Sequence, residues 1–297
     1  MKTVIPEALK SDVPQTKWGK LLIATPVIMT VIATALAGLA SSEMTRAQYD
    51  RSLAAQQQSK AGDQWGYFQA KKLRGALQHN TLDILQSTVP LRPLDAEALN
   101  RFGPVSPAAI PALVNGTLPE FPADKSDPKI KAALDAAEQS HSDAEVLSAL
   151  APIKPQELEE ALKAAKERAA DFDNALKPIN QALDRLEKSF AVSGGTENAR
   201  DFTAARLRYT AARYDAEARL NQAVANLLEL QVRKSNLSAE RHHRRSQRFF
   251  FGMLGAQMGV IVSTFSLAAR QRSFLWALAA AAGLAAVSFA AYVYLFI

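Results

Sequence analysis

The sequence predicts an all-α protein: three transmembrane helices plus an extramembrane antiparallel coiled-coil helical stalk. Three patterns predict it. Uncharged apolar runs at residues 21–40, 249–269 and 274–297 each reach the roughly 20 residues that a helix needs to cross the hydrocarbon layer. Apolar residues at 158–190 recur at alternating steps of four and three, the spacing of a left-handed coiled-coil seam. Ala47, Ala54, Ala61 and Gly75 are small residues of one seven-residue stripe, where two helices can approach closely.

The chain begins with a tail, residues 1–20, that carries Lys2, Lys10, Lys17 and Lys20 and ends beside the first span, residues 21–41. Trp18 and the lysines are expected to anchor that span at the interface. A basic tail, an apolar stretch and "ALA" at 35–37 imitate a cleaved secretory signal, but the apolar run exceeds the usual core of about 7–15 residues and flows into helix-forming sequence. A retained anchor is therefore expected.

A stalk helix follows over 42–89, with Ala47, Ala54, Ala61, Phe68, Gly75, Leu82 and Val89 on one stripe. Residues 90–154 form a Pro-rich linker with short helices. Asp127 before Pro128 reads as the cap of one such helix, and "SDAE" at 142–145 as the capping box of another. Residues 90–128 of it are expected to be mostly irregular, a loose connection or a docking arm.

Residues 155–248 read as an antiparallel hairpin. Pro155 suits a first helical turn, and the seam runs Leu158, Leu162, Ala165, Ala169, Phe172, Leu176, Ile179, Leu183, Leu186, Phe190. Pro178 inside it is expected to kink or split the helix. "SGG" at 193–195 breaks the helix and Thr196 is the expected N-cap of the next. That helix carries Phe202, Ala205, Tyr209, Ala212, Ala216, Leu220, Ala223, Leu227, Leu230, Lys234 and Leu237. Folding back at the glycines sets Phe190 near Phe202, Leu183 near Tyr209 and Leu162 near Leu230. Spans at 249–269 and 274–297, joined by a short basic loop at 270–273, complete the chain, with Arg248, Arg270, Arg272, Tyr292 and Tyr294 at their edges.

Candidate sites are few. "KAGDQWGYFQAKKLR" at 60–74 gathers Asp63, Gln64, Trp65, Tyr67, Phe68, Gln69 and Lys71, and it reads either as helix core or as a partner site. Trp65 and Phe68 share a face with Ala61 and Lys72, and Gln64 and Lys71 are expected to turn aside. Arg241, Arg244, Arg245 and Arg248 in "RHHRRSQR" suit anionic lipid headgroups or a stop-transfer anchor. Gly252, Gly255, Gly259 and Gly283 form small-residue faces for helix packing, within one subunit or between subunits.

These residues exclude several classes of chemistry. The chain has no cysteine, so disulfides, thiolate metal sites and cysteine nucleophiles are out. It holds no phosphate-cradling glycine loop, "HExxH" or nucleophile elbow, and its adjacent His242 and His243 lack ligand spacing. "DFD" at 171–173 looks like paired carboxylates but flanks seam residue Phe172. No cofactor is expected, and no enzymatic activity. The net charge of +6 gathers beside the spans instead of forming a nucleic-acid stripe.

"AAQQQSKAGDQWGYFQAKKLRGA" at 54–76 after a first span, then a long charged helix, then "RRSQRFFFGMLGAQMGVIVSTFSLAARQRSFLWALAAAAGLAAVSFAAYVYLF" resembles the bacterial membrane family catalogued as domain of unknown function 4337. The resemblance covers both ends of the chain and implies a three-pass membrane protein with no assigned activity. The family pattern has an acidic, histidine-rich tail before the first span, where this sequence has "MKTVIPEALKSDVPQTKWGK".

The reading is a bacterial inner-membrane protein with a structural, scaffold or signalling role, whose partners are membrane lipids and a second copy or another helical protein. The alternative is an oligomeric channel or transporter accessory subunit, its pore lined by Thr25, Thr30, Thr34, Gln257, Ser263 and Thr264 from several subunits, although the spans hold no charged residue or histidine. A membrane-bound enzyme with an unrecognised site comes third. Basic residues on the two sides are close to balanced, so the sequence leaves open which compartment holds the stalk.

Overall fold

The computed structural model describes residues 17–94, 96–100, 107, 109–123, 126–139, 143–193, 195–268 and 272–296. The lysines Lys2 and Lys10, Ser142 of the expected capping box, and Arg270 of the expected loop lie outside the described residues. In chain order the helices are α1 (Lys17–Thr88), α2 (Ala96–Asn100), α3 (Ala109–Asn115), α4 (Pro128–Glu138), α5 (Asp143–Leu150), α6 (Pro155–Ser193), α7 (Gly195–Ala268) and α8 (Arg272–Phe296). No strand occurs among the described residues. The chain divides into two compact units, one of Met1–Leu53 with Ser235–Ile297 and one of Ala54–Lys234, and α1 and α7 each contribute to both.

The first unit contains the three apolar segments, which sit on helices long and apolar enough to cross a membrane. Ala33, Leu36, Ala40, Phe249, Ala256, Ala286 and Val293 form its buried cluster. The contact is close because glycine makes room for methionine: the buried Met29 side chain of α1 fills the space where Gly259 of α7 and Gly283 of α8 lack a Cβ. A Cβ at Gly252 would meet Leu36 and Phe289, whereas Gly255 faces open space. Three of the four expected packing glycines therefore serve packing within the chain. Trp276 donates its indole N–H to Thr25 Oγ1 at 2.8 Å and meets Trp18 edge-on at 4.7 Å. Thr30, Thr34, Ser263 and Thr264 donate their hydroxyls to carbonyls of their own helices, so they are satisfied locally inside the apolar segments. Arg272 and Ser273, expected in a loop, begin α8 instead.

In the second unit α6 and α7 meet along the predicted seams. Every seam residue of α6 is buried except Ala169, which is half-buried. Phe190 stacks on Phe202 at 4.7 Å, Leu183 and Tyr209 share one cluster, and Leu162 and Leu230 share the next. Contacts thus run in opposite chain directions on the two helices. Of the kink or split expected at Pro178, the split does not occur: helix α6 continues through the proline without a break. The lost N–H and the crowding of the Asn174 carbonyl, four residues earlier, would be costly in an isolated helix. Here Leu176, Ile179, Ala182 and Leu183 are buried on either side of the proline and hold the segment helical.

Helix α7 begins at Gly195, whose positive φ of 62° suits glycine, so Thr196 lies inside the helix and is not its cap. The Pro-rich segment is also less irregular than expected. Helices α2 and α3 interrupt it, and Leu99, Ala109, Ala112 and Leu113 are buried in one cluster with Phe172, Leu176 and Tyr209. Phe121 packs on Phe172 at 5.4 Å. The Asp127 side chain accepts from the Lys129 N–H at 2.8 Å, which is the cap predicted for α4. Ile130, Ala133, Val146, Leu150 and Ile153 of the α4–α5 region join Leu158 and Leu162 in the other cluster.

A second periodic stripe on α7 faces α1. Ala204, Ala211, Ala218, Ala225 and Val232 are buried at seven-residue intervals, as are Ala54, Ala61, Gly75 and Leu82 on α1. A Cβ on Gly75 would touch the Ala211 carbonyl, Tyr214 and Asp215, so the two backbones run close together there.

The Met29 fit yields a direct check. Gly259→Leu should lower the thermal unfolding midpoint of the detergent-solubilised chain, at a cost of about 1–3 kcal/mol for overpacking. Adding Met29→Ala should restore part of that loss, as followed by circular dichroism.

Candidate functional site

Helix geometry sorts the 60–74 motif into two groups. Gln64, Trp65, Phe68 and Lys71 are half-buried, whereas Asp63, Tyr67 and Gln69 are exposed. Gln64 Nε2 donates to Asn221 Oδ1 at 2.5 Å, and Trp65 Nε1 donates to Glu229 Oε1 at 2.7 Å. Phe68 meets Trp65 edge-on at 5.3 Å. Gln64 and Lys71, expected to turn aside, instead face α7, and Lys72 is the lysine that remains mostly exposed. The difference arises because α7 lies against the Ala54, Ala61, Gly75 stripe, which brings residues on both of its flanks within reach.

Glu217 is the centre of the polar contacts. Its side chain is 8% exposed; one carboxylate oxygen pairs with Lys71 and the other lies 3.4 Å from Arg213 Nε. The Tyr214 ring carries cations on its face, with Lys71 Nζ at 5.5 Å and the Arg213 guanidinium at 4.7 Å from its centroid. Asn221, which receives the Gln64 amide, donates its own to the Glu217 carbonyl at 2.7 Å. Asp215 stands nearer solvent, 3.5 Å from Lys72 and 3.4 Å from His79.

Two neighbours show what burial does here. Asp173 is pushed above the ordinary carboxylate range by partial burial and then by the Glu217 charge, with Lys71 opposing. A carboxyl whose folded pKa is raised costs stability when ionised; that cost is present above the folded pKa and gone below the unfolded one. Burial pushes the Tyr209 phenol up to about 12, so it stays neutral within the α6–α7 core.

The arrangement can do one thing clearly, which is to select a register. Stripes that repeat every seven residues pack almost equally well after a seven-residue slip. Such a slip would bring Lys71 to Thr210 or Val224 instead of Glu217, and Gln64 to Tyr214 or Leu228 instead of Asn221. Either move would leave Glu217 without its lysine.

In the other unit, the basic segment is partly engaged. Arg244 Nε donates to Glu240 Oε1 at 2.9 Å and holds that carboxyl below its usual range. His242 Nδ1 lies 2.5 Å from Glu43 Oε2, and Arg46 lies 3.5 Å from the other Glu43 oxygen. Arg241 is exposed, and Arg245 and Arg248 are half-buried. Ser246 donates to the Ala40 carbonyl at 2.7 Å. Sequence reasoning missed Glu43, Glu217, Asn221 and Glu229, since each is a single polar residue in a charged helix whose partner lies far along the chain.

A groove of about 550 Å³ opens beside α4 and α6, with Ile130 and Ala161 on its floor and Glu160, Glu167, Arg168 and Asp171 at its walls. No group of His, Asp and Glu able to hold a metal ion occurs among the described residues.

Residues 22–101 match the family model described as "Domain of unknown function (DUF4337)". The family resemblance therefore holds for most of α1 and the segment after it, and the C-terminal stretch lies outside the matched residues. No curated protein and no solved structure matches the chain.

Removing the central carboxylate tests the network. Glu217→Ala should lower stability by about 1–3 kcal/mol, discounted because Lys71 keeps some contact with water. Lys71→Ala should cost less, and a double-mutant cycle on thermal or denaturant unfolding should show the two sites coupled.

Proposed function

We propose that the chain is an integral protein of the bacterial inner membrane with a structural or scaffolding role, anchored by three spans and built outside the lipid around an antiparallel coiled coil. It binds membrane lipids, associates with a second copy or with another helical protein, and carries out no turnover of its own.

The observation that carries this reading is the use to which polar side chains are put. Lys71, Glu217, Gln64, Asn221, Trp65 and Glu229 are spent on contacts between helices, the chemistry expected of a part whose task is to hold a shape. Exposed Arg241 is suited to anionic headgroups, whose attraction amounts to about 1 kcal/mol per cation near the surface.

Purified full-length protein in vesicles separates this from the channel alternative. A stable oligomer with ion flux no greater than that of empty vesicles is the expected result; conductance that scales with protein content would replace the scaffold with a pore.

A further inference from the structure

One face of α1 is apolar and uncovered. Tyr67, Leu73, Leu77 and Ile84 are 62%, 63%, 53% and 64% exposed, although their unit has well-covered cores elsewhere. Leu73, Leu77 and Ile84 lie on the side of α1 away from Ala61, Phe68, Gly75 and Leu82, and Tyr67 lies at its flank. Their order is not random. Gly66, Ala70, Leu73, Leu77, Asn80 and Ile84 follow alternating steps of four and three, the spacing of a coiled-coil seam.

The geometry points to a second copy of this chain as the occupant, its α1 lying parallel and in register along this seam. This rests on the reading of the chain as a self-associating membrane scaffold, because two copies inserted in one membrane share one orientation. Each seam residue then faces its own counterpart: Leu73 on Leu73, Leu77 on Leu77, Ile84 on Ile84. Asn80 fits the same arrangement, since an amide in an apolar seam is satisfied by an identical amide across a two-fold axis, and a single buried Asn fixes register. The area agrees as well. Six seam residues with flanking Tyr67 would bury on the order of 500 Å² per copy, near the lower limit for a specific interface. Tyr67, which the contacts with α7 leave unused, acquires a place at the seam edge.

The chain has no cysteine, so single cysteines report the interface cleanly. In membranes holding the full-length protein, Leu73→Cys, Leu77→Cys and Ile84→Cys should give disulfide-linked dimers on mild oxidation, and Lys72→Cys and Gln86→Cys, on the far side, should not. Leu73→Asp with Leu77→Asp should weaken self-association about tenfold or more while leaving helicity and unfolding midpoint unchanged, because both side chains are exposed in the single chain. Cross-links that appear equally around the helix, adducts with a protein of different mass, or a dimer undiminished in the double aspartate variant would each overturn the inference. An oligomer that persists while the seam cysteines stay unlinked would overturn this interface and leave the scaffold reading standing. A chain that is monomeric throughout would overturn both.

Discussion

Close approach between two long helices is possible only where small residues line both of them, and that constraint organises the unit formed by Ala54–Lys234. Ala54, Ala61 and Gly75 on α1 face a stripe of α7 built from Ala204, Ala211, Ala218 and Ala225. Small stripes gain little from any one side chain and leave the helices nearly free to slide by a heptad. Large seam residues on the opposite face of α7 lie against α6, where Phe172, Tyr209, Phe190 and Phe202 bury far more apolar area. Helix α7 is thus committed on two sides, by bulk on one and by closeness on the other. The Lys71, Glu217 and Gln64, Asn221 contacts then choose among heptad positions that packing alone leaves close in energy.

The unit that holds the apolar segments obeys a related rule with different chemistry. Lipid is as apolar as the side chains, so helix contact there depends on shape more than on the hydrophobic effect. Met29 set against Gly259 and Gly283 is such a shape match, and the hydroxyls of Thr30, Thr34 and Thr264 are satisfied by their own helices. The Trp276 to Thr25 and Ser246 to Ala40 hydrogen bonds, by contrast, link two helices.

Much of the fold was legible in the sequence because periodicity reports burial. The α6 and α7 seams, the three apolar runs and the Asp127 cap could all be read from spacing and from one capping residue. Periodicity does not report which helix a face meets. Gln64 and Lys71 flank the small stripe, and only the position of α7 makes them inward-facing. The α2 and α3 turns escaped notice because prolines dominate their surroundings and each is held by one or two leucines, Leu99 and Leu113, packed against distant residues. Pro178 does not split α6, because the buried seam on both sides of it outweighs the local cost of the proline.

The register of α1 against α7 is the claim most open to direct test. A Cβ at Gly75 would lie 3.5 Å from Tyr214 Cβ, within the range of a disulfide. The pair Gly75→Cys and Tyr214→Cys should therefore close an intramolecular disulfide readily, and Gly75→Cys with Leu207→Cys, one heptad away, should not. Comparable closure of the two pairs would mean that the helices slide, and preferential closure of the second would mean that the assigned register is wrong.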